Sequence, residues 1–239
     1  MSPIHQLAPA GAAGYFALSV LGLALGTFFW LRRTRDDPRL AAVLIAAIAG
    51  AYLGAKIVFL IAEGWLYFGQ EEAWRIWLAG KKCILGALLG GFAAVEGMKC
   101  LVKYERTTGD LFAAVLPPAM ILGRLGCVAG GCCGGLSVRL GGWSGIWPSV
   151  GFEMGFQVLC IPVFWGLRRR HLLTGQHFHL YLIAYGFVRF FNEFGRATPK
   201  VLWETFSGYQ VGALILIAVG VLAFRNRQRQ VYSGSGSGS

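Results

Sequence analysis

Seven apolar segments of roughly membrane-spanning length recur along this 239-residue chain. An α-helix needs about 20 predominantly apolar residues to cross a bilayer, and each segment approaches that length. Only 14% of the residues are charged, whereas a soluble domain has about a quarter. The pattern therefore predicts an all-α polytopic membrane protein whose spans run roughly over 12–31, 40–62, 83–102, 111–126, 148–167, 178–194 and 208–224.

Basic residues are distributed unevenly between the two ends of these spans. With seven spans, thirteen of them lie at one membrane face and six at the other. Because short basic loops remain in the cytoplasm, this asymmetry predicts an N-terminus outside and a cytoplasmic C-terminus. The cytoplasmic set is Arg32, Arg33, Arg35, Arg39, Lys99, Lys103, Arg106, Arg168, Arg169, Arg170, Arg225, Arg227 and Arg229. The outer set is Arg75, Lys81, Lys82, Arg139, Arg196 and Lys200.

The net charge of +11 is explained by this topology signal, because the charges lie in short caps between apolar segments. We therefore expect no nucleic-acid partner. The spans are expected to form a single helical membrane domain over residues 1–232, followed by an appended Ser/Gly tail at 233–239. No charged leader with a small-residue cleavage site precedes the first span, so that span is expected to direct insertion. Residues 134–147, rich in glycine and tryptophan, are expected to form a loop.

The segment Gly123-Arg124-Leu125-Gly126-Cys127-Val128-Ala129-Gly130-Gly131-Cys132-Cys133-Gly134-Gly135 departs from a generic apolar span. Its six glycines would cost backbone entropy in an ordinary helix, so the helix is expected to break after Gly126. An arginine at bilayer depth is costly and normally faces a pocket or a partner. The segment is therefore expected to bind or transform a ligand on the outer side.

Cys127, Cys132 and Cys133 allow four interpretations. They could be small residues in tight packing, or Cys127 could form a disulfide on the oxidising outer face. One could be a catalytic or covalently lipidated thiol, since Arg124 and a broken helix end would favour the thiolate. They could also hold zinc or another soft metal, but their spacing matches no usual zinc pattern. We expect neither a bound metal nor a cofactor.

The sixth span carries a polar face. At about 100° per residue, five of its side chains fall within about 100° of arc. They are Tyr185, Arg189, Asn192, Glu193 and Arg196. Arg189 and Glu193 could simply neutralise each other at their i,i+4 spacing. That pairing leaves the second arginine, the amide and the phenol on this face unexplained.

Three ionisable residues in other spans add to this polar set, namely Lys56, Arg124 and Glu153. An excess of guanidinium groups in an apolar bundle favours an anionic ligand, because arginine presents a bidentate fork to phosphate. In a membrane the available anion is a phospholipid head group. The sequence therefore predicts a phospholipid site.

Several motifs resemble those of the prolipoprotein diacylglyceryl transferases. The most specific is Tyr185-Gly186-x-x-Arg189-Phe190-x-x-Glu193-Phe194-x-Arg196. Pro148-Ser149 followed by Glu153 resembles that family's Pro-Ser-Gln-Leu-Tyr-Glu, and Gly123-Arg124-x-Gly126 resembles the start of its Gly-Arg-x-x-Asn signature. Gly54-Ala55-Lys56 stands where the family usually has Gly-Ala-Arg, and residues 208–218 resemble its last helix. The resemblance covers most of the chain from about Gly54 onward.

The resemblance implies a multi-pass transferase of the bacterial cytoplasmic (inner) membrane. Its donor would be phosphatidylglycerol, whose diacylglyceryl group passes to a lipoprotein signal-sequence cysteine with release of glycerol phosphate. Arg124 and Arg189 would hold the phosphate, and Glu193 would organise Arg189 or the acceptor. The expected phospholipid-binding set is Lys56, Arg124, Glu153, Tyr185, Arg189, Asn192 and Arg196. The expected catalytic set is Arg124, Arg189, Glu193, Cys127, Cys132 and Cys133.

Two departures distinguish the chain from that family. Leu85-Gly86-Ala87 stands where the family has its His-Gly-Gly motif. The asparagines and the glutamate of the Gly-Arg-x-x-Asn signature are missing, and cysteines stand nearby. The chain therefore resembles a cysteine-bearing paralogue rather than the standard enzyme, and its acceptor is open. Two other classes remain alternatives: a non-catalytic phospholipid-binding or transport module, and a cysteine-based metal or redox membrane protein.

Overall fold

The computed structural model describes residues 9–71, 73–79, 82–130, 135–140, 143–202 and 205–235. Within them the chain forms eight α-helices and one antiparallel pair of strands. The helices are α1 (Pro9–Arg33), α2 (Arg39–Ala62), α3 (Ala73–Ala79), α4 (Ile84–Leu101), α5 (Gly109–Gly130), α6 (Ser149–Arg169), α7 (His177–Asn192) and α8 (Gly208–Ser235). The strands are β1 (Ser137–Leu140) and β2 (Trp143–Ile146), and short 3₁₀ turns lie at Gly64–Tyr67 and Glu193–Gly195.

Five of the described helices, α2, α4, α5, α6 and α8, are long and apolar enough to cross a membrane. Each of the seven predicted spans coincides with one of α1, α2 or α4 to α8. Many large apolar side chains on these helices are exposed, including Ile45, Ile61 and Leu159, which suits contact with lipid. The prediction of an all-α membrane fold is confirmed. Seven crossings with the N-terminus outside stay a prediction.

Two predicted helix boundaries are wrong. Helix α5 does not break after Gly126 but continues to Gly130, so Cys127 lies inside the helix. Tertiary packing overrides the low helix propensity of the glycines here, because the end of α5 lies beside α1 near Gly14 and Ala129. Helix α7 ends at Asn192 rather than near residue 194. The chain beyond it instead forms the 3₁₀ turn and then pairs with the backbone at Gly135.

The expected loop at 134–147 contains the strand pair β1–β2. Their register places Ser137 opposite Ile146 and Leu140 opposite Trp143. The hairpin is anchored by backbone hydrogen bonds, in which Leu136 N–H donates to Gly195 O and Trp147 N–H donates to Leu136 O. These long-range contacts bring the start of α6 to the end of α7.

Contacts divide the chain into two compact units, and α7 contributes residues to both. Unit 1 consists of Met1–Arg33, Thr108–Phe178 and Phe191–Ala197, and therefore contains α1, α5, the hairpin and α6. Unit 2 consists of Thr34–Thr107, His179–Phe190 and Thr198–Ser239, and contains α2, α3, α4 and α8. The single membrane domain over residues 1–232 stays a prediction.

In unit 2, α2 and α4 cross at glycines. A Cβ atom on Gly54 would overlap the carbonyl oxygen of Gly86, and one on Gly90 would overlap that of Gly50. Such small-residue contacts allow helix backbones to approach closely in membranes. The end of α2 is tied to α8 by the buried carboxylate of Glu63, which accepts a hydrogen bond of 2.7 Å from the Tyr209 hydroxyl.

In unit 1, α1 lies along α5, and Trp30 packs on Phe112 with ring centroids 4.4 Å apart. Near the start of α5, Asp110 accepts hydrogen bonds from the backbone N–H groups of Gly175 (2.7 Å) and His177 (3.2 Å). These contacts fix the turn between α6 and α7. Helices α5 and α6 and the end of α7 then hold the polar side chains of the candidate site.

Candidate functional site

A buried ion pair between α5 and α6 forms the centre of the candidate site. The guanidinium of Arg124 donates to Glu153 Oε2, and the Glu153 side chain has no exposed surface. The two residues are 29 positions apart in the chain, so the pair depends on the packing of α5 against α6. Removing two charges from water is costly, and ionisable groups within membrane helices generally mark functional sites.

Asn192, the last residue of α7, orients this pair. Its side-chain amide donates to Ser149 O at 2.9 Å and to Glu153 Oε1 at 3.3 Å. Its carbonyl oxygen accepts a 2.9 Å hydrogen bond from the indole N–H of Trp147. Glu153 is therefore held from two sides, by Arg124 and by Asn192. Hydrogen bonds from both sides hold the carboxylate in one orientation.

A second ion pair follows immediately in the chain. Arg196 Nε lies 3.3 Å from Glu193 Oε2, and Glu193 is fully buried. The Arg196 Nη1 atom is also buried and has no hydrogen-bond partner among the described residues. Its backbone pairs with Gly135, which fixes its place beside the hairpin. This guanidinium therefore keeps donor capacity for a further oxygen.

Trp147 links the two ion pairs. Its ring stacks on Phe152 with centroids 5.5 Å apart, and a Cβ atom on Gly195 would overlap the indole. The glycine is therefore needed for the close approach of the 3₁₀ turn to Trp147. The indole, Asn192 and the turn form one packed group in unit 1, which contacts Glu153 through Asn192 and contains the Glu193–Arg196 pair.

Cys127 lies one helical turn after Arg124. An Arg124 Nη1–H points to its Sγ atom at 3.9 Å, and the residue is 8% exposed. Cys127 forms no disulfide with any described cysteine. Cys132 and Cys133 lie outside the described residues, so the disulfide, thiol and metal interpretations of those two stay predictions. Within the described ranges, no three His, Cys, Asp or Glu side chains are grouped closely enough to hold a metal ion.

The remaining predicted residues belong to unit 2. Arg189 is 4% exposed, and Tyr185 is fully buried with its ring stacked 5.9 Å from that of Tyr181. Lys56 lies on α2 with Nζ 5.4 Å from the centre of the Phe59 ring. Leu85 is fully buried in α4.

The predicted polar face of the sixth span is partly wrong. Tyr185, Arg189 and Asn192 do lie on α7, as the spacing predicted. The α-helix itself ends before the last two residues of this set, because Glu193 begins the 3₁₀ turn and Arg196 follows it. Within this segment Glu193 pairs with Arg196.

Sequence reasoning missed Trp147 and Ser149 as members of the site. Trp147 precedes Pro148 and Ser149 at the start of α6, and its indole N–H needs an acceptor when the ring is packed against protein. A tryptophan immediately before a span with a buried glutamate was the available signal. Its acceptor on Asn192, 45 positions away, was not readable from the sequence.

Trp147→Phe tests the role of the indole. Phenylalanine keeps the stacking on Phe152 but removes the donor to Asn192, so the amide can swing away from Glu153. We expect a loss of about 1 kcal/mol in unfolding free energy, the usual worth of one neutral hydrogen bond. Thermal unfolding in detergent measures it, and Trp165→Phe, on the exposed side of α6, is the control. Equal stability of the two variants would contradict the role assigned to Trp147.

Known proteins resemble the chain over nearly its whole length. A family model described as prolipoprotein diacylglyceryl transferase matches residues 5–225. The phosphatidylglycerol–prolipoprotein diacylglyceryl transferase of Symbiobacterium thermophilum is 28% identical over 98% of this chain and 95% of its own length. The proteins of the same name from Clostridium tetani and Dehalococcoides mccartyi are 25% and 29% identical, over 88% and 90% of this chain and 91% and 87% of their own lengths.

Proposed function

Because the chain belongs to the prolipoprotein diacylglyceryl transferase family, we propose that it transfers a diacylglyceryl group from an anionic phospholipid to an acceptor. The donor is a phosphatidylglycerol-like lipid, as the names of the relatives indicate for those proteins. The acceptor is a thiol. The protein acts in the bacterial cytoplasmic membrane, with its N-terminus and the candidate site at the outer face.

The buried Arg124–Glu153 pair is the observation that carries this proposal. A pair of this kind costs desolvation energy, and the α5–α6 packing alone would be served as well by apolar residues. Arg124 also contacts the Cys127 thiol, and Arg196 keeps a buried donor beside the same group of residues. A guanidinium with a remaining donor, as at Arg196, fits the phosphate of a lipid head group.

We assign roles to the remaining residues on this basis. Arg124 binds the phosphate, with Arg196 as a further head-group contact. Arg189, Lys56 and Tyr185 of unit 2 stay predicted phospholipid-binding residues. Glu153 and Asn192 hold Arg124 in place, and Glu193 positions its neighbouring arginines. The Arg124 side chain is only 12% exposed, and this partial removal from water strengthens its interaction with an anion.

The transfer breaks the bond between the glycerol carbon and the phosphate oxygen. The acceptor sulfur attacks that carbon as thiolate, a thioether forms, and glycerol phosphate leaves with the bonding electron pair. Negative charge grows on the leaving phosphate, so preorganised guanidinium groups stabilise the transition state more than the bound lipid. The thiol loses its proton before the attack, and that proton ends on the released glycerol phosphate or in water.

Cys127 is the described cysteine at which an acceptor thiol would meet the donor. It lies one turn from the proposed phosphate ligand Arg124, so we expect its sulfur to come near the carbon that the reaction attacks. The three cysteines are therefore proposed as catalytic or lipid-accepting groups.

Mass spectrometry of the purified protein with labelled phosphatidylglycerol tests the proposal. We expect retained lipid, and released glycerol phosphate once a peptide carrying a lipoprotein signal-sequence cysteine is added. Retained lipid with no product for any acceptor would identify a non-catalytic binding module instead. If no lipid is retained, no cysteine is modified and no head group is released, the proposal is refuted. Loss of function in Cys132→Ser together with full function in Arg189→Lys would favour a cysteine-based redox or metal protein.

A further inference from the structure

Ser149 is a buried hydroxyl within the candidate site that the roles above leave unused. It is the first residue of α6 and only 1% exposed. Its backbone groups are engaged, since its N–H donates to Trp147 O and its carbonyl accepts from Asn192. Its Oγ atom has no hydrogen-bond partner among the described residues. Buried hydroxyls are normally hydrogen-bonded, so an unsatisfied one needs an explanation.

The surroundings of Ser149 define the kind of group that would satisfy it. Glu153 lies four positions further along α6, so the hydroxyl and the carboxylate lie on the same helix face, one turn apart. The Asn192 amide is hydrogen-bonded to both residues and fixes their spacing. Ser149 Oγ can donate and accept, whereas the Glu153 carboxylate can only accept.

This combination matches a hydroxyl-bearing ligand. An alcohol can donate its proton to a Glu153 oxygen and accept a hydrogen bond from Ser149 Oγ. Alternatively, it can donate its proton to Ser149 Oγ. The first-turn N–H groups of α6 add positive potential beside them, which favours oxygen atoms over ammonium groups. The adjacent Arg124 guanidinium takes the neighbouring phosphate, so phosphate and hydroxyls would be bound side by side.

We infer that Ser149 and Glu153 form a polyol subsite that binds the free hydroxyls of a glycerol head group. The inference rests on the proposed function, because it places the phosphate of the same lipid at Arg124. It makes Ser149 a residue that determines head-group specificity rather than one that binds phosphate. Phospholipids without a head-group alcohol would gain nothing from it.

The test compares two lipids that differ only in the head group. Phosphatidylglycerol and phosphatidic acid with identical short acyl chains are titrated into purified protein in detergent, and bound lipid is quantified by native mass spectrometry. The nearly isosteric variants Ser149→Thr and Ser149→Val keep or remove the hydroxyl. We expect Ser149→Val to bind phosphatidylglycerol about tenfold more weakly and phosphatidic acid unchanged, since it loses one buried hydrogen bond. The Ser149→Thr variant should retain the preference of the unsubstituted protein for phosphatidylglycerol over phosphatidic acid.

Controls separate this inference from the proposed function. Ser144→Ala changes an exposed serine of β2 and should leave both affinities unchanged. An equal loss of affinity for both lipids in Ser149→Val, or no loss for either, would overturn the polyol subsite. Neither result would contradict phosphate binding at Arg124. Folded, unsubstituted protein that binds neither lipid would instead refute the proposed function itself. Equal behaviour of the Thr and Val variants would also overturn the assignment, because only the hydroxyl distinguishes them.

Discussion

Arg124→Ala is expected to abolish retention of phosphatidylglycerol and any transfer from it. The substitution removes the guanidinium assigned to the phosphate and also leaves Glu153 buried without its ion-pair partner. An uncompensated buried charge typically costs about 3–5 kcal/mol. The variant should therefore lose stability as well as lipid, and lipid retention alone would not separate the two effects.

The double variant Arg124→Met with Glu153→Gln separates them. Removing both charges relieves the unpaired carboxylate, so we expect thermal unfolding in detergent to return close to that of the unsubstituted protein. Lipid retention should stay lost, because the phosphate ligand is still missing. Arg169→Ala is the matched control, since that guanidinium is exposed and lies 4.0 Å over the Trp165 ring at the other end of α6. A stable double variant that retains phosphatidylglycerol would contradict the role of Arg124.

The positions of the helices were predictable because membrane crossing imposes a length and a composition on each apolar segment. All seven predicted spans coincide with helices, and the errors lie at their ends. The end of α5 depends on packing against α1, and the end of α7 depends on pairing with the chain at Gly135. Contacts between distant segments set these ends, and local propensity alone does not reveal them.

The candidate site was predictable in residue type but not in pairing. Buried charges in apolar segments identified Arg124, Glu153 and Glu193 as members, because such groups are rarely tolerated without function. Which carboxylate meets which guanidinium depends on the packing of α5, α6 and the turn after α7. Helical periodicity drew attention to the Arg189–Glu193 spacing, whereas the Glu193–Arg196 pair arises in the 3₁₀ turn that follows the helix. Ser149 drew attention only as part of the Pro148-Ser149 motif and not as a site residue, because a serine at a helix start is usually explained by capping alone.

Two glycine-to-alanine substitutions on α2 and α4 should change the free energy of unfolding in opposite directions. Gly54→Ala places a methyl group against the carbonyl oxygen and the Cα of the opposing helix at Gly86 and Gly90. Backbone atoms on both sides cannot move aside as a flexible side chain could, so the helices must separate and lose their close contacts. We expect the free energy of unfolding to fall by about 3 kcal/mol, at the upper end of the usual cost of overpacking a core.

Gly97→Ala, at an open position of α4, should do the reverse. A Cβ atom at Gly97 meets no heavy atom within 4 Å, so the substitution only replaces glycine by a better helix former. We expect the free energy of unfolding to rise by up to about 1 kcal/mol. Thermal unfolding in one detergent compares both variants with the parent protein. Both changes add the same methyl group to helices of unit 2. A general effect of added apolar surface would therefore shift the unfolding temperatures of both variants in the same direction. Opposite shifts are expected only if the Gly54–Gly86 backbone approach stabilises the unit, and a common shift would disprove it.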